Sequence, residues 1–83
     1  MTIAERTIMT QRENIRKAHN ARFNYKDMEF RITYDGGLSE FFSIHGRRRG
    51  TEQFKYVSGF AGYKYATKDD VIEHAKTVIM QKI

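Results

Sequence analysis

Asp27-Met-Glu-Phe-Arg-Ile-Thr-Tyr-Asp35 is the stretch on which the fold turns. Met28, Phe30, Ile32 and Tyr34 fall on one face and Glu29, Arg31 and Thr33 on the other, the period of two that a half-buried strand requires. Asp35-Gly36-Gly37 breaks the pattern, and a second apolar run follows from Leu38 to His45. A slip of one residue would send every apolar side chain to the wrong face, so loop length can be judged by which pairing keeps apolar residues together. A two-residue loop fails this test. A three-residue loop pairs Tyr34 with Leu38, Phe30 with Phe42 and Met28 with Ile44, and places Gly37 where a bulged hairpin needs a left-handed residue.

Working outward, Gly46-Arg-Arg-Arg-Gly50 reads as a loop and Glu52 to Ser58 as a third strand, with Phe54 and Tyr56 alternating with Lys55 and Val57. Ser58-Gly-Phe-Ala-Gly62 reads as a bend, and Tyr63-Lys-Tyr65 as an extension of that strand or a short separate one. Thr67 is the expected N-cap of a helix over 68–82, with Asp69 and Asp70 in the first turn, where the helix dipole favours negative charge. Its apolar set, Val71, Ile72, Ala75, Val78, Ile79 and Ile83, follows the spacing of one buried helical face.

Upstream, Thr2-Ile-Ala-Glu5 and Thr10-Gln-Arg-Glu13 both fit a capping box, in which hydroxyl and carboxylate each satisfy a backbone donor at a helix start. A single helix over about 3–20 aligns Ala4, Ile8, Ile15 and Ala18; starting at the second box instead leaves the first nine residues as an arm. The expected architecture is therefore a single α+β domain over 1–83, in the order α-β-β-β-α. It comprises an N-terminal helix or arm (1–22), a three-stranded antiparallel sheet (27–66) packed by the C-terminal helix (68–82), and a core of Phe30, Ile32, Phe42, Val71, Ala75, Val78 and Ile79.

With 83 residues and no cysteine, the chain excludes disulfide staples and thiolate metal sites. Its 40% hydrophobic content includes six Phe and five Tyr, enough for a small core. No apolar run approaches the roughly 18 residues of a membrane span. No basic segment followed by an apolar one marks a signal peptide, so a cytoplasmic protein, in the host cytoplasm if it is viral, is expected. Catalytic motifs are missing. His19, His45 and His74 lack the local spacing of a zinc site, and Asp69, Asp70 and Glu73 have a structural reason to start a helix. No enzymatic activity, cofactor or metal is expected.

Charge is more informative. The net charge of +5 is distributed as +4 over 1–26 and +5 over 47–68, against −3 over 27–46 and −1 over 69–83. Arg47, Arg48 and Arg49 stand between glycines with Lys55 close behind. Guanidinium forks on such a loop suit phosphate recognition, although a basic hairpin tip also keeps a sheet edge soluble. The pairing above places Arg31, Phe41, Ser43, His45, Lys55 and Val57 on the face away from the helix. There Phe41 either stacks on unpaired bases between basic residues or packs beneath the N-terminal helix. Tyr63 and Tyr65 serve as partner contacts or as a lid on the core. Met80 lies about 180° around the helix from Val71, on the side available to a partner protein.

The portion 27–82, with Tyr63-Lys-Tyr-Ala-Thr-Lys-Asp-Asp-Val entering the helix, resembles the three-stranded sheet plus helix of integrase arm-binding DNA modules. The α-β-β-β-α order is similar to that of double-stranded RNA-binding domains, which carry a basic run where this chain has Asp69-Asp70. In size and in its lack of enzymatic motifs the chain also resembles small virus-encoded inhibitors, including anti-CRISPR proteins. Charge and resemblance together imply a binding module for nucleic acid or a nucleoprotein complex, acting through Arg47, Arg48, Arg49, Lys55, Arg31 and Phe41. The alternative is an inhibitor or adaptor of a host protein complex that uses Tyr63, Tyr65 and Met80.

Overall fold

The computed structural model describes residues 12–82. The first candidate capping box, the Thr10 that would cap the second, and Ala4 and Ile8 fall outside this range; within it, residues 12–16 are helical and 17–20 form a turn. The helix does not continue to 20. Asn20 adopts a left-handed φ of 68°, and its N–H donates to the Ile32 carbonyl at 2.8 Å, while the Ile32 N–H donates back to Ala21 at 2.9 Å. The chain thus passes from helix end straight into sheet pairing.

Four strands follow where three were expected: β1 Arg22–Tyr25, β2 Met28–Gly36, β3 Phe41–Arg48 and β4 Lys55–Ala61, all antiparallel and adjacent in chain order. The extra strand is β1, which joins β2 through Lys26-Asp27 with Lys26 at a φ of 56°, the positive value that tight hairpin turns require. The resemblance to three-stranded modules therefore fails in strand number.

The β2–β3 register also differs. Tyr34 lies opposite Phe42, Phe30 opposite Gly46 and Met28 opposite Arg48, with Asp35 as an extra residue in a bulge and a turn at 37–40. Relative to the expected pairing this is a shift of four residues, an even number, so each side chain keeps its expected face. Gly37 is left-handed as expected, at a φ of 81°, but the turn extends beyond it and is closed by Glu40 at a φ of 50°, and Leu38 is left fully exposed. Gly46 belongs to β3 and not to a loop: a Cβ there would come within 2.8 Å of the Phe30 ring, which lies across it.

In β4 the change is one of face. Ile44 pairs with Ser58 but His45 with Tyr56, so Val57 is a bulged residue. The parity of the strand reverses there: Tyr56 faces away from the core and Val57 packs against it, the opposite of the expected alternation. The stretch 58–61 continues β4 and is not a bend, and Tyr63 and Lys64 form a turn.

The C-terminal helix, Lys68–Lys82, forms as expected. The Thr67 hydroxyl accepts from the Asp70 N–H at 3.2 Å, and Val71, Ala75 and Ile79 are buried at intervals of four. They meet Phe30, Ile32, Phe42, Ile44 and Phe60 of the sheet, together with Ile15 and Ala18 of the N-terminal segment, in one core. Val78 packs on its margin. Each fully buried side chain of this size contributes about 1.5–3 kcal/mol.

A buried carboxylate ties the N-terminal segment down. Glu40, 3% exposed, accepts from Arg16 and from the Tyr34 hydroxyl at 2.8 Å, with Arg12 at 3.8 Å. The Arg16 hydrogen bond, chiefly, holds its carboxyl below the usual range against the opposing effect of burial. His74 packs against Phe60 and Tyr65, and burial pushes its imidazole pKa down. Among the described residues, no helix is long and apolar enough to cross a membrane.

Candidate nucleic-acid interface

The helical segments and the core occupy one side of the sheet, so strand alternation sends the remaining side chains to an outer face. There the register sets Arg22, Arg31, His45 and Tyr56 in one row across all four strands. Asn24, Glu29 and Arg47 form the next row, and Phe54, just before β4, lies above both. Its ring receives three guanidinium groups: Arg47 at 4.5 Å, Arg31 at 4.8 Å and Arg22 at 5.7 Å from the centroid. Such contacts are favourable because the cations face the negative surface of the ring.

Among the described residues, Glu29 is the one carboxylate that pairs with this cluster. Arg47 donates to Glu29 Oε1 from Nη2 at 2.8 Å and from Nε at 3.0 Å, and Arg22 stands 3.7 Å from the same oxygen. Arg31 has no ion pair among the described residues. Its buried Nε lacks an acceptor, and the buried Nδ1 of His45, directly across the strand pair, likewise has no partner. Three cations against one paired carboxylate leave a local excess of positive charge, an arrangement suited to an anionic oxygen.

Two further aromatic rings border the face. Tyr56 is 62% exposed and meets His45 edge to face at 5.8 Å. Phe41 lies over Gly59, where a Cβ would approach its Cζ to 2.6 Å, and its other side is open at 36% exposure. Among the described residues, Ile15 and Ala18 of the N-terminal segment join the core on the opposite side and do not pack on Phe41. Near Phe41, the Ser43 hydroxyl donates to Asp35, so the face runs from a cationic end to a carboxylate end.

The structure redistributes the residues expected from sequence. Arg31 and Arg47 belong to the cluster and Phe41 shares their face. The triple-Arg stretch is not one exposed loop: Arg47 and Arg48 end β3, and Arg49 begins the turn, its N–H donating to Asp27 at 3.2 Å. Lys55, expected on the outer face, lies opposite Gly46 on the core side; with Arg48 it lines a cleft of about 490 Å³ floored by Met28 and Val57. Tyr63 is exposed, and Tyr65 is half-buried against Phe60 and His74. Met80, 57% exposed, borders a small groove with Phe23, Tyr25 and Lys76.

Arg22, Phe54, Tyr56 and Glu29 were not among the expected site residues. The alternation of Phe23 and Tyr25 was the available signal for β1, and hence for Arg22. The expected alternation puts Phe54 and Tyr56 on the side facing the helix, because nothing in the sequence marks the bulge at Val57. Among the described residues, no group of three His, Asp or Glu side chains is placed to hold a metal ion. No family model matches the chain, and no curated protein or solved structure shows significant similarity to it.

Proposed function

We propose that the protein is a small non-enzymatic binding module that contacts nucleic acid, or a nucleoprotein complex, through the outer face of its sheet. The observation that carries this reading is the convergence of Arg22, Arg31 and Arg47 on Phe54, with Glu29 the one carboxylate paired to them among the described residues. Cation–aromatic contact holds the guanidiniums in place before a ligand arrives, which lowers the ordering cost of binding. Phosphates reaching the cluster release condensed counterions, so affinity falls steeply with salt.

Arg31 is the residue to test, since its substitution breaks no ion pair. Arg31→Ala should weaken binding of mixed-sequence DNA and RNA in a salt titration and reduce the log–log salt slope by about 0.7–0.9. Lys76→Ala, on the C-terminal helix across the sheet, should have a smaller effect. An unchanged slope for Arg31→Ala removes the outer face from the interface.

A second reading, an adaptor or inhibitor that docks on a host protein complex, is favoured by one observation. Met80 stands exposed beside the Phe23 and Tyr25 rings, and Met gives adaptable apolar contact. Pull-down from lysate with and without nuclease separates the readings: Met80→Glu should abolish a nuclease-resistant protein complex and leave nucleic-acid retention intact.

A further inference from the structure

At the usual strand spacing of about 4.8 Å, β1 and β4 stand roughly 14 Å apart before side chains are added. The major groove of B-form DNA is about 12 Å wide and admits a helix or a two-stranded ribbon. A four-stranded face is too broad to enter it. Against a duplex it can touch phosphates but cannot bring Tyr56 or Phe41 to a base. Unpaired bases have no such restriction, because their flat faces are free to lie on aromatic rings.

We propose that the occupant of the outer face is a single-stranded nucleic acid, with a phosphate at Arg22 and Arg31 and bases stacked on Tyr56 and Phe41. This inference rests on the nucleic-acid reading above. Tyr56 shares a row with Arg22 and Arg31, so a base on its ring places the adjoining phosphate over the guanidiniums. There a phosphodiester meets the combined positive charge of Arg22 and Arg31, paired across β1 and β2. His45, edge-on to Tyr56, holds the platform.

Phe41 is four residues from His45 along β3, about 13 Å, and its inner side is fixed by Gly59. The Asp35 carboxylate at that end, bonded to Ser43, repels phosphate and accepts base amino groups. The strand is therefore oriented with its phosphate at the arginine end and uncharged base surface at the other. DNA and RNA offer the same stacking chemistry, so the two are compared as arms of one experiment.

The test measures fluorescence anisotropy of labelled oligo-dT, oligo-U and a mixed-sequence duplex of equal length, with the wild-type chain and Tyr56→Ala, Tyr56→Phe, Phe41→Ala and Arg31→Ala. At least one single strand should bind about tenfold or more tightly than the duplex. Tyr56→Ala should weaken it roughly five- to hundredfold, Tyr56→Phe should retain it, and Phe41→Ala should act in the same direction as Tyr56→Ala. Tyr56 is exposed and outside the core, so its variants fold even if Phe41→Ala does not; circular dichroism verifies this. Equal binding of duplex and single strand, with Arg31→Ala weakening both, or a Tyr56→Ala chain of unchanged affinity, overturns the single-strand inference and leaves the basic-face reading standing. Binding of none of the three probes at low salt overturns both.

Discussion

Arg16 grips Glu40 with two parallel hydrogen bonds, Nε to Oε2 at 3.1 Å and Nη2 to Oε1 at 2.9 Å, so a helical segment and the β2–β3 turn share one buried carboxylate. Fork-to-fork geometry of this kind is both strong and directional. The Tyr34 hydroxyl donates to the same carboxylate, and its ring lies 5.3 Å from the Arg16 guanidinium carbon.

Removing either partner should loosen the N-terminal segment before the sheet. Tyr34→Phe deletes one hydrogen bond to a charged group and should cost about 1–2 kcal/mol. Glu40→Ala and Arg16→Ala should each lower the melting temperature, and hydrogen exchange should show lost protection around Ile15 and Ala18 first. Retained protection there would mean that the apolar contacts alone hold the segment.

Stability should fall in two stages as the solution is acidified. Burial, with a smaller effect of Lys64, pushes the His74 imidazole below its ordinary 6.5. The unfolded chain takes that proton first, and stability declines as pH drops below about 6.5 toward the folded value. The Glu40 carboxyl lies below its ordinary 4.5 because of the Arg16 hydrogen bond first. Its contribution is complete above that pH and is lost as pH falls through the folded value. Melting curves between about pH 8 and 3 should show His74→Phe flattening the upper stage and Glu40→Gln the lower one.

Gly46→Ala should destabilise the sheet out of proportion to the single methyl added. The new Cβ would meet Phe30 at 2.8 Å, and Phe30 is fully buried, so the ring has nowhere to go; overpacking of this kind costs about 1–3 kcal/mol. At Gly59 the obstructing ring is the half-open Phe41, which can swing outward, and Gly59→Ala should cost less. Urea unfolding of the two variants gives the comparison directly.

Neutralising Glu29 should move stability and binding in opposite directions. Glu29→Gln removes the carboxylate that faces Arg22 and Arg47, a partly exposed pairing worth about 0–1 kcal/mol. It also frees two guanidiniums for an incoming anion. A slightly lower melting temperature with tighter nucleic-acid binding and a steeper salt slope is expected, and weaker binding would show that Glu29 positions Arg47 for its ligand.

What the sequence disclosed and what it hid follow from how local each signal is. Thr67 and the repeat from Val71 to Ile79 define the last helix within one segment, and the alternation at Met28 to Tyr34 defines β2. β1 was hidden because Arg22–Tyr25 offers only four residues and its turn, Lys26-Asp27, contains no glycine. The β2–β3 register depends on a left-handed Glu40, whose strain is offset by contacts with Tyr34 across the turn and with Arg16, far away in sequence. The face of Tyr56 depends on a bulge at Val57 that no turn residue announces. The candidate site was half legible for the same reason: Arg31 comes from a strand whose face was read correctly and Arg47 stood out by its arginine run although it was read as loop, while Phe54 and Tyr56 lie beyond the bulge.

The succession β1-β2-β3-β4 has a kinetic meaning as well. Every strand finds its partner next to it in the chain, so pairing proceeds through short loop closures and no segment waits for a distant one. The chain contains no proline, and the isomerisation phase of roughly 10–100 s that delays many refolding reactions has no source here. The sheet that carries the cationic row should therefore reassemble in one rapid phase after denaturation, hairpin upon hairpin, with the helices settling onto its inner side.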